Sequence, residues 1–379
     1  MIDLPYLPFA KPSLSEETYK EVEDVLRSGW LTTGPRVAQF EKDLSAYFEG
    51  RGVRAVSSAT AGLQIALMAL DLKPGDEVIT TPLTFVATLN TIVQAGGTPV
   101  LVDIDPNTRN MDMTQLAKAI TPKTRVLMPV HFAGLPVDLD EIYTVAQKHK
   151  LRVVEDCAHA IGAAYKDRRI GSFGDIQVMS FHPNKNMTTG EGGAVVTSDQ
   201  EVLSRIERLR FHGIDREAFN RFSKTGSQHY DVVLPGFKYN MMDIQAAIGL
   251  HQLPMLDGFI TKRDALVTEY EKALHTLPGI SLPKDPDYSH VHAWHLFTVL
   301  VADRDGFIEK MKAQNIGIGM HYVAAHLFSY YKDTFGFKEG QFPNAEKVGA
   351  SICSLPLFPD MTTHDVTRVV KAVKEILKA

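Results

Sequence analysis

Apolar positions fall into two rhythms along the chain. Between about residue 53 and residue 200, short runs that are apolar at nearly every position alternate with helix-length segments. The runs are VITT from Val78, VLVDI from Val100, RVLMPV from Arg125 and LRVVED from Leu151; the segments include TAGLQIALMALDL and DLDEIYTVAQKH. Strands apolar on both faces and separated by helices predict a mostly parallel, doubly wound sheet covered on both sides, an α/β layer. The runs at 176–181 and 193–197 are joined by a loop too short for a helical crossover, so their pairing is expected to be antiparallel. Ahead of this region one helix is well marked. Ser13 and Glu16 offer a capping box, Tyr19, Val22, Val25 and Leu26 share a face, and Gly29 ends it. After about residue 250, long amphipathic helices lead into the strand-like HAWHLFTVLV, a second run near IGIGMHY and a final helix THDVTRVVKAVKEILK. The expected division is a large domain over residues 1–250, including an N-terminal arm, and a smaller α+β domain over residues 251–379.

Composition narrows the function classes. The chain of 379 residues is 44% apolar and 22% charged, with a formal charge of −5, as in an ordinary globular protein of two domains. No run of five or six like charges occurs, which argues against a nucleic-acid surface. MIDLPYLPFAKPSLSEE carries prolines and acids where a signal peptide has a basic start and an apolar stretch. No run approaches the roughly 20 apolar residues that span a bilayer. The expectation is a cytoplasmic protein with no membrane contact. Cys157 and Cys353 stand far apart without C-x-x-C partners, so neither a disulfide framework nor a metal site is expected.

Candidate chemistry begins at SFHPNKNMTTGEGGAVV, where Lys185 sits in a tight loop between two core strands. Alone, a loop lysine reads as a solvated surface residue. Three other stretches change that reading. VEDCAHAIGA places Asp156 at the carboxyl end of an apolar strand, the edge where open α/β sheets bind ligands. In VSSATAGLQIALMAL, the hydroxyls of Ser57, Ser58 and Thr60 precede an apolar helix, a combination that suits an anion. In TPLTFVATLN, Phe85 follows a strand end near the same edge, although by itself it reads as core. Pyridoxal phosphate needs all these parts together: a lysine for its Schiff base, a carboxylate for its ring nitrogen, a phosphate site and an aromatic face. No G-x-x-x-x-G-K-[ST] loop or strand–GxGxxG–helix fingerprint is present.

Joint order adds specificity. SGWLTTGP, SSATAG, GDEVITTPLTFVATLN, VHFAG, EDCAHA, SFHPNKNMTTGEGGAVVT, HGI, PGFKYN and SLPLFPDMT resemble, nearly end to end, the sugar aminotransferases of the DegT/DnrJ/EryC1/StrS family. These are fold type I pyridoxal-phosphate enzymes. SSATAGLQIALMAL, HAWHLF and ICSLPLFPDMT are most similar to the members that form UDP-4-amino-4-deoxy-L-arabinose. The resemblance implies that Lys185 carries the cofactor and acts as general base, and that Asp156 keeps the pyridine nitrogen protonated. It places His159 near the ring's phenolic oxygen, Phe85 on the ring face, and Thr60, Ala61 and Ser180 at the phosphate. Lys238 and Asn240 would reach the partner's site across a homodimer interface, although the commoner family pattern has Asn where Lys238 stands. Thr32, Thr33, Gly34, His321 and Tyr322 would border the sugar-nucleotide pocket, with His131, Arg210 and His212 as weaker candidates. Asp138 and Asp140 read as helix-start residues.

The implied reaction moves nitrogen from L-glutamate, leaving 2-oxoglutarate, to the keto carbon of a nucleotide-linked 4-ketosugar, in surface-polysaccharide or lipid A construction. A UDP-4-keto-pentose is the leading acceptor, and another NDP-4-keto-6-deoxyhexose the alternative. A dehydratase on the same scaffold is disfavoured because those relatives have His in place of the lysine. A non-catalytic pyridoxal-phosphate-binding regulator gains no support, since no helix-turn-helix or basic face accompanies the core.

Overall fold

The structure is a computed structural model, and it describes residues 5–215 and 230–378. Among the described residues thirteen strands follow in chain order: β1 Gly52–Val56, β2 Glu77–Thr80, β3 Thr98–Leu101, β4 Thr124–Leu127, β5 Arg152–Cys157, β6 Ala164–Tyr165, β7 Arg168–Arg169, β8 Ile176–Ser180, β9 Gly193–Thr197, β10 Ile280–Ser281, β11 His290–Val291, β12 Phe297–Val301 and β13 Ile352–Leu355. The main sheet has seven strands in the order β1-β9-β8-β5-β4-β2-β3. Its pairs from β3 through β8 are parallel, whereas β8–β9 and β9–β1 are antiparallel. The short lysine loop therefore turns the chain back on itself as its length requires.

Strand periodicity sorts side chains between two covered faces. Val53, Ile79, Leu127, Val153, Met179 and Val196 enter one core with helices that include Leu139–His149. Val56, Val78, Val126, Val154, Val178 and Val195 enter the other, against the helix Ala59–Ala69 and the helix Gln200–Leu209. Both faces are dry, which is why these strands read as unbroken apolar runs. A separate core forms on the small antiparallel sheet β10-β12-β13, packed by Leu266–Leu274 of the helix Leu256–Leu274 and by the helix Thr363–Lys378. Leu7 joins that core and bridges Ile316, so the N-terminal arm is strapped to the C-terminal unit.

Two local expectations are corrected. The first helix spans Glu16–Ser28 and is capped by Ser15, whose side chain accepts from the Thr18 N–H, and not by Ser13, which donates to Asp360 at 2.7 Å. Gly29 ends it at φ 72°, in the left-handed region that glycine tolerates. Of the proposed apolar face only Val25 is fully buried; Tyr19 and Leu26 are exposed. Asp138 does start a helix, accepting from the Glu141 N–H at 3.3 Å.

Candidate active site

The carboxyl ends of the parallel strands open onto a cavity of about 300 Å³, the size of a small-ligand site. Alternation in β5 decides what enters it. Asp156 faces the cavity, and Glu155 faces the opposite core. The Asp156 carboxylate accepts from the Thr88 hydroxyl at 2.8 Å and from the Ala158 N–H at 3.1 Å. Thr88 is in turn held by the Thr84 hydroxyl at 2.7 Å. Burial still pushes the Asp156 carboxyl above its usual range, against these bonds and the attraction of Lys185. A carboxylate buried at this depth calls for a cationic partner.

Lys185 enters the same cavity from the β8–β9 loop. Burial lowers its amine to about 8, although Asp156 pulls the other way. His159 Nδ1 accepts the Ala133 N–H at 3.2 Å, so the proton of the neutral ring is on Nε2, which meets the Tyr322 hydroxyl at 3.1 Å. Burial, reinforced by nearby Lys185, holds His159 far below its ordinary pKa, and the ring is neutral at pH 7. His321 lies beside them on the same cavity wall, and burial lowers it to about 4.

The other end of the cavity is a helix start. Ser58 caps the helix Ala59–Ala69, its hydroxyl accepting from the Ala61 N–H at 3.0 Å. Ser58, Ala59 and Thr60 line the cavity, with Ser180 beside them from the end of β8. Ala61 does not line it, because its N–H is spent on the cap. The approach is close: a Cβ on Gly193 of β9 would lie 2.6 Å from the Ala59 nitrogen and 2.7 Å from the Ser58 carbonyl carbon. Only glycine lets the helix start press against the sheet here. The unpaired N–H groups and hydroxyls converge on a site suited to a phosphate. Among the described residues no arginine lines this cavity.

Phe85 is not core. It is 54% exposed at the cavity mouth, its ring 5.8 Å from that of Tyr322, because the helix Val86–Gln94 begins directly after it and turns it outward. Thr32, Thr33 and Gly34 are absent from this cavity wall and gather elsewhere with Lys238 and Asn240. Thr33 donates to the Met241 carbonyl at 2.5 Å and accepts from Asn240 Nδ2 at 2.5 Å, while Lys238 Nζ donates to Asn240 Oδ1 at 2.7 Å. Two of the weaker candidates are structural, and the third, His212, is held here through its backbone. His131 is fully buried, with Nε2 2.9 Å from Glu155 and Nδ1 accepting the Val137 N–H at 3.1 Å. Arg210 is a buried partner of Glu41, and the His212 N–H serves the Phe237 carbonyl at 2.8 Å. Cys157 lies close to His131 and Glu155, but Glu155 is already engaged by the Tyr143 hydroxyl at 2.6 Å and by Gln177. This cluster is a satisfied core network. Thr88 and His295, which touch Asp156 and Lys185, went unassigned; Thr88 lies one helical turn past Phe85, and His295 stands inside HAWHLF.

A free lysine amine, a buried carboxylate and an open helix start on one cavity suit the aldehyde, ring nitrogen and phosphate of pyridoxal phosphate. Together with the seven-stranded sheet they define a fold type I pyridoxal-phosphate enzyme. Residues 12–374 match the DegT/DnrJ/EryC1/StrS aminotransferase family. The chain is 45% identical to the spore coat polysaccharide biosynthesis protein SpsC of Bacillus subtilis, covering 98% of this chain and 97% of that one. It superposes on Spr1654 from Streptococcus pneumoniae in its PLP form with a TM-score of 0.91 and 32% identity, covering 98% and 99% of the two chains. It is also similar to PseC of Helicobacter pylori, an aminotransferase involved in the biosynthesis of pseudoaminic acid, with a TM-score of 0.91, 27% identity and coverage of 98% and 99%. The chain belongs to the DegT/DnrJ/EryC1/StrS family and is a pyridoxal-phosphate-dependent sugar aminotransferase. Among the described residues no helix is long and apolar enough to cross a membrane.

Proposed function

We propose that the chain transfers nitrogen from L-glutamate to the keto carbon of a nucleotide-linked 4-ketosugar. The observation that carries this reading is the shared cavity of Lys185 and Asp156, closed at one end by the helix start at Ser58. Pyridoxal phosphate, when bound, supplies the electron sink that lets an amino group be taken up and passed on. Lys185 Nζ, lowered to about 8 by burial, would hold the cofactor by its aldehyde and serve as the base that takes up and returns the substrate's proton, as a base poised near neutral pH can. Asp156 keeps a proton on the ring nitrogen. Thr60 and Ser180 belong to the phosphate end, Phe85 covers the ring, and His159 acts with Tyr322 on the phenolic-oxygen side. His321 and Tyr322 border the sugar.

The active unit we propose is a homodimer in which Lys238 and Asn240 complete the partner's cavity. Support comes from the phosphate end, where among the described residues no arginine lines the cavity, and from exposed apolar side chains in the segments next to Thr32 and Asn240: Trp30, Leu31 and Met242. Thr32, Thr33 and Gly34 would enter the substrate pocket from the same direction. The proposed acceptor is a UDP-4-keto-pentose, giving UDP-4-amino-4-deoxy-L-arabinose, on the resemblance at HAWHLF and ICSLPLFPDMT. Likeness to PseC and to SpsC favours a second reading, an NDP-4-keto-6-deoxyhexose for a surface polysaccharide. Purified protein with glutamate and both ketosugars in competition decides between them. Preference for the pentose supports the first reading, preference for the hexose the second, and transfer to neither overturns the proposed acceptor class.

A further inference from the structure

His295 has no part in the roles above, yet its Nε2 lies 3.3 Å from Lys185 Nζ, and its Nδ1 has no hydrogen-bond partner. The side chain is only 2% exposed. Its backbone is held from several sides. Arg263 donates to the carbonyls of Trp294 at 3.1 Å and of His295 itself at 3.5 Å, Asn186 donates to the Ala293 carbonyl at 2.5 Å, and Trp294 sits at φ 45°. A left-handed tryptophan is uncommon, and such strain collects at functional sites.

The orphaned nitrogen gives this contact a direction. If Lys185 is a neutral amine, Nε2–H donates to its lone pair and the unpartnered Nδ1 is a bare acceptor. If Lys185 is an ammonium, it donates to Nε2, and the imidazole proton must move to Nδ1, where nothing accepts it. A buried N–H without a partner is the costlier arrangement. We infer that His295 is a positioning residue that points the Lys185 amine into the cavity and biases it towards its uncharged, proton-accepting form. Lowering of the lysine to about 8 by burial acts in the same sense. The other groups facing this pair are Asp156, which favours the ammonium, and neutral His159 and His321. His159 and His295 have ring centroids 4.4 Å apart. Burial first, and then the charge of Lys185, opposes a second proton on the His295 imidazole, and the Arg263 charge acts in the same sense. Significance of the bias for turnover rests on the aminotransferase reading, but the bias itself does not.

The test uses the full-length chain cleared of cofactor, with Lys185 followed by competitive acetylation and peptide mass spectrometry from pH 6 to pH 11. The wild-type midpoint is expected near about 8. His295→Gln offers an amide that can turn its oxygen to an ammonium or its NH₂ to an amine, so the bias is lost. The midpoint should then rise by about one pH unit or more, and His295→Asn should act in the same direction. Unchanged midpoints in folded variants would overturn the inference while leaving Lys185 in the reaction. If neither variant folds, ¹⁵N-histidine spectra of the wild-type chain decide, with His295 assigned by its response to Lys185→Met. An Nε2–H tautomer above the lysine midpoint and Nδ1–H below it supports the inference; a tautomer that does not change across that midpoint overturns it. Normal turnover by Lys185→Ala would defeat the aminotransferase mechanism instead, so the two failures are distinguishable.

Discussion

Replacing Lys185 by methionine should stabilise the full-length, cofactor-free chain at neutral pH. Methionine keeps the length and apolar stem and removes the charge. In the folded chain burial lowers the amine from 10.5 to about 8. Between those values the unfolded chain binds a proton that the folded chain has released, so stability rises with pH across that window. Below about 8 both forms are protonated and the whole penalty is present. About two and a half pH units at about 1.4 kcal/mol each correspond to roughly 3 kcal/mol. By pH 10 most of that is relieved, and the advantage of Lys185→Met should shrink by about 2 kcal/mol. Urea unfolding of both proteins at pH 7, 8, 9 and 10 reads the difference directly. Other alkaline titrations, including tyrosines such as Tyr143 and Tyr322 that burial pushes upward, occur in both proteins and cancel. Parallel stability–pH curves would refute the reasoning, because they would mean that the amine is as well solvated folded as unfolded.

The remaining expectations concern the site and its frame. Asp156→Asn keeps the size and the Thr88 contact but removes the charge. Glutamate-side single-turnover rates, normalised to bound cofactor, should fall by about 10²-fold, roughly 2.7 kcal/mol; a rate near wild type removes Asp156 from the chemistry. Gly193→Ala forces a Cβ against backbone atoms of Ser58 and Ala59, and should cost about 3 kcal/mol in urea unfolding and weaken retention of pyridoxal phosphate. Gly258→Ala, with open space around it in the helix Leu256–Leu274, should instead stabilise by about 0.5–1 kcal/mol; equal effects at the two glycines would contradict the close-approach argument. Mixing inactive Lys185→Ala with a Lys238→Ala/Asn240→Ala protein should restore activity through mixed dimers that carry one intact site. A fully active monomer in sedimentation and assay removes the shared-site reading.

Most of the sheet was legible because its strands are buried on both faces and its connections are short. Runs at Val78, Val100, Arg125 and Leu151 stand out without any partner in view, and the tight loop at Lys185 dictates an antiparallel turn. Pairings over long distances were not legible. Ser15, not Ser13, caps the first helix because Ser13 is drawn away to Asp360, more than three hundred residues on. His295 reaches Lys185 across 110 positions, and no local pattern in HAWHLF says which of its two histidines turns inward. Phe85, which by itself reads as core and is placed on the ring face only by the resemblance, shows the same limit. An aromatic in an apolar stretch reads as core until the helix start behind it is seen to turn the ring towards solvent.

The adjacent acids Glu155 and Asp156 show how much one residue of register decides. In sequence they are equivalent carboxylates at a strand end, and composition favours neither. The strand's two-residue period sends them to opposite faces. Glu155 is held by three donors on its own side of the sheet, Tyr143, Gln177 and His131. Asp156 has two donors, Thr88 and Ala158, and otherwise faces open cavity and the Lys185 amine. Two donors leave a buried carboxylate short of its four lone-pair sites, and burial accordingly raises its pKa. A cation placed in the cavity would supply what is missing and return the group to its charged form. The unsatisfied member of the pair is the one at the carboxyl edge of the sheet, where the parallel strands end and the helix starts point inward. Position at that edge makes Asp156 available to a ligand; incomplete solvation makes binding of a protonated ring nitrogen favourable there.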